Sequence, residues 1–209
     1  MASKNEPNAR RQPKGDKRDR TRAALLDAAR ALIREKGFER TTLAAVARRA
    51  GMTTGAIYGN FKNRDELFIA LGQKFWAPVK PKVKSDATFA DAMHALARAT
   101  IAALDDRRSA AVGRLTGLAY TLQTPNLRAH VHEVTKTSYE FGAEWLRTFD
   151  PRDLPMPPDQ LVRVIHALIE GLVIQHIVTP DLFPDEVFYA AFAALAARRS
   201  PDAGSTPHC

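Results

Sequence analysis

Between Thr41 and Leu67 the chain reads Thr-Thr-Leu-Ala-Ala-Val-Ala-Arg-Arg-Ala-Gly-Met-Thr-Thr-Gly-Ala-Ile-Tyr-Gly-Asn-Phe-Lys-Asn-Arg-Asp-Glu-Leu. Two short helical patterns are broken by one glycine and followed by a third that opens on its own cap. In the first, Val46, Ala47 and Ala50 share a face, and Thr42 is placed to accept a backbone hydrogen bond as N-cap. Gly51 suits the left-handed conformation that ends a helix. Thr53 or Thr54 then caps the second, where Ile57, Tyr58 and Phe61 fall at i, i+1 and i+4 and cover one side. The opposite side carries Thr53, Thr54, Gly55, Ala56, Gly59 and Asn60, all short enough to let the backbone approach a groove. Asn63 with Glu66 has the form of a capping box, and Leu67, Phe68, Leu71 and Phe75 follow at helical spacing. This pattern predicts a helix-turn-helix over about 42–61 whose second helix enters the major groove of DNA.

Charge points to the same partner. Residues 1–64 hold 16 Lys and Arg against 6 Asp and Glu, while the remainder holds 15 against 17, so the net +8 belongs to the N-terminal third. A basic unit of this kind is an electrostatic footprint for a polyanion, with affinity that falls steeply as salt rises. No window approaches about 18 consecutive apolar residues, because even Leu161 to Val178 carries Arg163, His166, Glu170, Gln175 and His176. The basic N-terminus lacks an apolar stretch of the kind a secretion signal needs. A cytoplasmic, nucleoid-associated protein is therefore expected, with no membrane partner. One cysteine, Cys209, allows no intrachain disulfide and no cysteine metal cluster. His130 and His132 point to different faces of a helix, and no His-Glu-x-x-His, phosphate loop or nucleophile elbow occurs. No catalytic residue, metal site or cofactor is expected.

Residues 1–17 lack apolar spacing and contain Pro7, Pro13 and Gly15, so a disordered basic arm is expected, either lying on DNA or simply solvated. A first helix from about Asp19 to Lys36 follows, striped by Leu25, Leu26, Ala29, Leu32 and Ile33 and stopped by Gly37. A DNA-binding domain is thus expected over 18–77, a helical second domain over 78–200 beyond the prolines at 78 and 81, and a flexible tail over 201–209. Phe89, Met93, Leu96, Thr100, Ile101 and Leu104 stripe one helix of the second domain, and Val112, Leu115, Ala119 and Leu122 the next. Thr124-Pro125 opens a helix striped by Leu127, Val131, Val134, Phe141, Trp145 and Phe149. A loop over 151–158, an apolar helix Leu161 to Val178 and a last helix from about Pro184 to Arg199 complete the chain. The fold class is all-α, with about nine helices. The eighth helix is apolar on nearly all sides, more than one core would bury, so it is expected to face a second surface.

The stretch Gly51 to Leu67 closely resembles the signature of the TetR, or tetracycline-repressor-like, transcriptional regulators, and the resemblance runs over about residues 20–77. It departs at Asn60, where the family often has histidine, and at Gly59, where a bulkier side chain is usual. The resemblance implies a homodimer on a palindromic operator, acting by default as a repressor released by a small-molecule effector. The alternative is a non-specific nucleic-acid-binding helical module or an adaptor without an inducer. The DNA-contact candidates are Thr42, Thr53, Thr54, Gly55, Ala56, Tyr58, Asn60, Lys62 and Arg64. Threonine and alanine suit a thymine methyl, Asn60 suits adenine or a phosphate, and Tyr58 offers its hydroxyl to the backbone while its ring packs inward. The resemblance also implies an effector pocket in the second domain, with candidates Trp76, Phe89, Met93, Tyr120, Tyr139, Trp145, His166 and Glu170. Glu170, set among Ile169, Leu172 and Val173, is expected to pair with His166, face the dimer axis or meet a cationic ligand. The last two helices are expected to pair with their copies through Ile165, Ile169, Leu172, Val173, Phe188, Phe192 and Leu195.

Overall fold

The structure, a computed structural model, describes residues 14–197. The expected arm at 1–13, the tail at 201–209 and Cys209 lie outside the described residues. The described chain is all-α, with nine α-helices and two short 3-10 turns, and it divides within its fourth helix into two units, Met1–Leu71 and Gly72–Cys209.

In the first unit α1 (Lys14–Lys36) starts several residues before the expected Asp19. The sequence of its first turn is polar, so no apolar spacing marks it; Lys17 to Arg20 are exposed, and a local bond runs from Thr21 Oγ1 to the Lys17 carbonyl (2.9 Å). Residues 14–17 are therefore helix rather than arm. Leu25, Leu26, Ala29, Leu32 and Ile33 are buried, and Gly37, at φ +79°, ends the helix. Thr42 caps α2 (Leu43–Arg49), its hydroxyl oxygen accepting the Ala45 amide at 3.2 Å, while Leu43, Val46 and Ala47 turn inward. Gly51, at φ +65°, then reverses the chain, and the Met52 amide donates to the Ala47 carbonyl at 2.9 Å. Thr53 caps α3 (Thr54–Tyr58) through the Ala56 amide at 3.2 Å. α4 (Arg64–Phe75) opens with Asn63 Oδ1 accepting the Glu66 amide, but Glu66 reaches back to the Lys62 amide (2.7 Å), one residue beyond the usual capping-box partner.

The second unit contains α5 (Phe89–Ala102), α6 (Leu104–Gln123), α7 (Pro125–Leu146), α8 (Pro158–Val178) and α9 (Asp185–Ala196). α5 packs on α9, α7 on α8, and α6 against both α7 and α8. Thr88 and Asp91 form a reciprocal capping box on α5. The core gathers Phe89, Met93, Leu96, Leu146, Leu161, Val173, Phe188 and Phe192. α7 and α8 approach closely enough that a Cβ on Gly142 would lie 2.6 Å from a Val162 methyl.

One expected stripe faces the other way, and a second is split between core and solvent. On α6, Val112, Leu115, Ala119 and Leu122 are exposed, and the inward face carries Arg107, Ala110, Ala111, Gly117 and Thr121. On α7, Val134 and Phe141 are exposed, whereas Leu127, Ala143 and Leu146 are buried. The α6 orientation has a polar cause, given below. α8 reaches the length and mean hydropathy (1.6) of a membrane span, although it holds no run of 18 consecutive apolar residues. Its Leu161, Ile165, Ile169, Leu172 and Val173 are buried in protein.

A Cβ at Gly51 would meet open space, so only the left-handed backbone opposes substitution there. Gly51→Ala is expected to lower the unfolding free energy by about 1 kcal/mol, and Gly51→Asn by less, read by chemical denaturation.

Candidate nucleic-acid interface and effector site

The exposed surface of α3 is made of Thr53, Thr54, Gly55 and Tyr58, with Gly59 following and Ala56 half-buried. Ile57 and Phe61 are fully buried and anchor the helix. Tyr58 lies one residue, about 100°, around the helix from Ile57 and is 55% exposed, so its ring does not pack inward as expected. Ring and hydroxyl are both free to meet DNA. The hydroxyls of Thr42 and Thr53 accept amide protons as caps, which leaves each O–H able to donate to a phosphate. Lys62 is exposed at the join.

Two other candidates are held by the protein itself. Asn60 donates its Nδ2 to the Ala56 carbonyl at 2.8 Å, and its Oδ1 is buried without a hydrogen-bond partner. A bidentate grip on adenine needs both groups facing outward, so Asn60 is placed as a helix-end clasp rather than a base reader. Arg22 closes the clasp, donating to the Asn60 carbonyl at 2.7 Å while its guanidinium lies 4.3 Å over the Phe61 ring. Arg64 donates to the Phe38 carbonyl and lies 4.0 Å over the Phe38 ring, so it joins the α3–α4 connection to the end of α1. Arg49 is likewise engaged, in a bidentate pair with Glu35 at 2.7 and 2.9 Å that holds the Glu35 carboxyl below its usual pKa. Arg40 and Arg48 are exposed phosphate candidates that sequence reasoning passed over. Their only signal is their place just before and at the end of α2.

In the second unit four of the eight expected effector-site residues meet around one carboxylate. Trp76 Nε1 donates to Glu170 Oε1 at 2.5 Å, His166 Nε2 lies 3.8 Å from the same oxygen, and the Tyr139 hydroxyl meets His166 Nδ1 at 2.9 Å. Arg114 reaches Glu170 Oε2 at 3.3 Å, and Arg107 stacks 4.7 Å over the Trp76 ring while donating to the Ala77 carbonyl at 2.7 Å. These two arginines were missed because, read as sequence, the α6 polar positions look like a solvated face. Their seven-residue spacing is the signal, since it puts both on one side of the helix. Together they explain why α6 turns its apolar stripe outward: a half-buried carboxylate and an indole require cationic partners on the inner side. The remaining candidates are elsewhere. Phe89 and Met93 are buried core residues, Phe89 packs edge-on to Phe149 at 5.8 Å, and Trp145 meets that same ring at 5.3 Å. Tyr120 is half-buried on α6 and is not among the groups bonded to Glu170.

Residues 25–71 match the family described as bacterial regulatory proteins, tetR family, and residues 84–198 match the tetracyclin repressor-like C-terminal domain. The chain belongs to the TetR family of transcriptional regulators. The HTH-type transcriptional regulator BetI of Burkholderia thailandensis is 34% identical over 169 residues, 77% of this chain and 83% of that protein. TtgR of Pseudomonas putida is 49% identical over 51 residues, 24% of each chain. Among solved structures, NalD of Pseudomonas aeruginosa, the secondary repressor of the MexAB-OprM multidrug efflux pump, superposes with a TM-score of 0.55 at 26% identity, covering 85% of this chain and 94% of its own. SmeT in complex with triclosan shares the fold, with a TM-score of 0.57 at 22% identity over 91% of this chain and 99% of its own. TetR proteins bind DNA through the helix-turn-helix and are regulators rather than enzymes.

For a TetR reading helix built this way, Asn60→Ala is expected to weaken the first unit by about 1 kcal/mol with base preference unchanged. Thr54→Ala or Tyr58→Phe should alter affinity or base preference without loss of stability; thermal melts and binding to variant operators separate the two outcomes. His166 supplies a pH test. Burial holds its pKa below the ordinary histidine value, against the pull of Glu170 and with the help of Arg114 and Arg107. The folded state thus prefers the neutral ring, and as pH falls below about 6.5 the unfolded chain takes up the proton first, so stability declines toward the folded-state pKa. His166→Gln should flatten that decline in melts run between about pH 7.5 and 5.

Proposed function

We propose that this TetR-family regulator acts as a homodimer on a palindromic operator, repressing until a small molecule bound in the second unit releases it. The observation that supports it best is the outward side of α8 and α9. Ile165, Ile169, Leu172, Val173, Phe188 and Phe192, expected at the dimer seam, are all buried in this chain's own core, and Leu195 packs partly against it. They are unavailable to a partner. α8 exposes Asp159 and Arg163 near its start and, spaced four, three, four, four and three residues apart along one continuous face, Gln160, Val164, Ala167, Gly171, Gln175 and Val178. α9 exposes Asp185 and Glu186 in its first turn and Ala190, Ala193 and Ala194 beyond it. A Cβ on Gly171 meets nothing within 4 Å. Faces this small and apolar permit close helix approach, and pairing them across a two-fold axis gives the second surface that an all-round apolar α8 calls for. The seam thus shifts from the inward residues to the outward ones.

Pairing also serves binding. One α3 reaches only a few base pairs, and two reading helices separated by about 34 Å match successive turns of one DNA face. The repression reading draws on NalD, named as a repressor, and the small-molecule reading on SmeT, solved with triclosan. As a DNA-bound regulator the protein works in the cytoplasm, on the nucleoid.

The test is selection from random duplex DNA combined with sedimentation at micromolar concentration. A dimer and a palindrome preferred over random duplex by ~10³ or more are expected. Gly171→Arg should give a monomer that loses that preference while keeping salt-sensitive, sequence-independent binding. A wild-type monomer, or equal binding to random duplex, would replace this reading with the non-specific module.

A further inference from the structure

The polar cluster on Trp76 carries more positive than negative charge, and it does so where charge is expensive. Arg107 is only 5% exposed. Its guanidinium donates to a neutral carbonyl, that of Ala77, and no carboxylate lies within ion-pair distance of it among the described residues. Arg114 is half-buried, reaches Glu170 at a long 3.3 Å, and keeps a buried Nε without a hydrogen-bond partner. Glu170 also receives the Trp76 N–H, so this single carboxylate is shared between Arg114 and an indole while Arg107 has none. Burial lowers the pKa of the nearby His166, and an imidazole in either protonation state supplies no negative charge.

A desolvated guanidinium without a carboxylate leaves its preferred partner unsupplied, and the planar fork of arginine matches a carboxylate in bidentate fashion. The same features disfavour an organic cation. The Trp76 ring is already covered by Arg107 at 4.7 Å and flanked by Arg114 at 5.7 Å, and Arg163 lies 5.5 Å over Tyr139. A cation would meet a guanidinium at each of these rings and a carboxylate already paired with Arg114. We propose that the small molecule bound in the second unit is an organic anion whose carboxylate pairs with Arg107 and Arg114 beside Trp76. This rests on reading the second unit as effector-binding, and it sets aside the cationic ligand that was one of the three partners expected for Glu170.

The test titrates the full chain with benzoate and hexanoate, against benzamide as the neutral counterpart and benzyltrimethylammonium as the cation, followed by calorimetry and by Trp76 fluorescence in a Trp145→Phe background. Saturable carboxylate binding, about tenfold or more tighter than benzamide, is expected. Arg107→Gln and Arg114→Gln should each weaken it about tenfold, and Glu170→Gln should strengthen it by freeing Arg114. Should Arg107→Gln fail to fold, the opposite responses of Arg114→Gln and Glu170→Gln still decide. No saturable carboxylate binding up to about 10 mM, equal binding of benzamide or the cation, or indifference to Arg114→Gln overturns the anion site. Operator affinity is followed alongside. Arginine-dependent carboxylate binding that leaves DNA affinity unchanged supports the site and removes the effector reading, whereas release of DNA by the cation alone keeps the effector reading and removes the anion.

Discussion

A helix of five residues has no stability of its own, since nucleating a turn fixes several residues for few hydrogen bonds. α3 (Thr54–Tyr58) exists because the unit around it holds both its ends. Thr53 caps its start, Ile57 and Phe61 are driven into the core, and Arg22 takes the carbonyl at Asn60 while lying across the Phe61 ring. The candidate DNA contacts on α3 depend on that anchoring. The outward residues Thr54, Gly55 and Tyr58 are exposed and contribute little to it.

A second constraint governs the other unit. Glu170 sits on a helix whose neighbours are apolar, and a carboxylate there must be answered by charge or donors. Trp76 and Arg114 answer it, and Arg107 follows Arg114 onto the inner face of α6 because the two are seven residues apart. Once those positions face inward, Val112, Leu115 and Leu122 must face out. One ionised side chain on α8 therefore decides the rotation of α6.

This contrast explains what could be read from the sequence. Most caps, stops and helix existence are local, and they were legible: Thr42, Thr53, Gly37 and Gly51 act where residue chemistry places them, although Thr124 opens α7 without a side-chain cap bond. Which side of a helix faces inward is a global property. On α5 the apolar stripe and the core agree, but on α6 apolarity pointed to the wrong side because a polar partner on α8 outranked it. On α8 the hydrophobicity said only that two surfaces are needed. It did not say that the bulky Ile165, Ile169 and Leu172 go to this chain's own core and the smaller Ala167 and Gly171 face outward. Asn60 was misread for a related reason, since its amide has a local acceptor at Ala56, one turn back, that competes with any base.

The two anion-binding surfaces argued for this protein differ in physical kind, and salt separates them. The first 64 residues carry a large positive excess, and DNA is drawn to them by a summed field and by release of condensed counterions, a term that collapses as salt rises. The remainder of the chain has slightly more acidic than basic residues, so no long-range field brings an anion to Arg107. Attraction there is short-range, between one carboxylate and two guanidinium groups shielded from water, and mobile ions screen it far less. Raising salt should therefore weaken the operator complex by orders of magnitude while changing carboxylate binding only slightly. A carboxylate whose affinity fell in parallel with that of DNA would be binding the basic surface of the reading unit, not the cluster on Trp76.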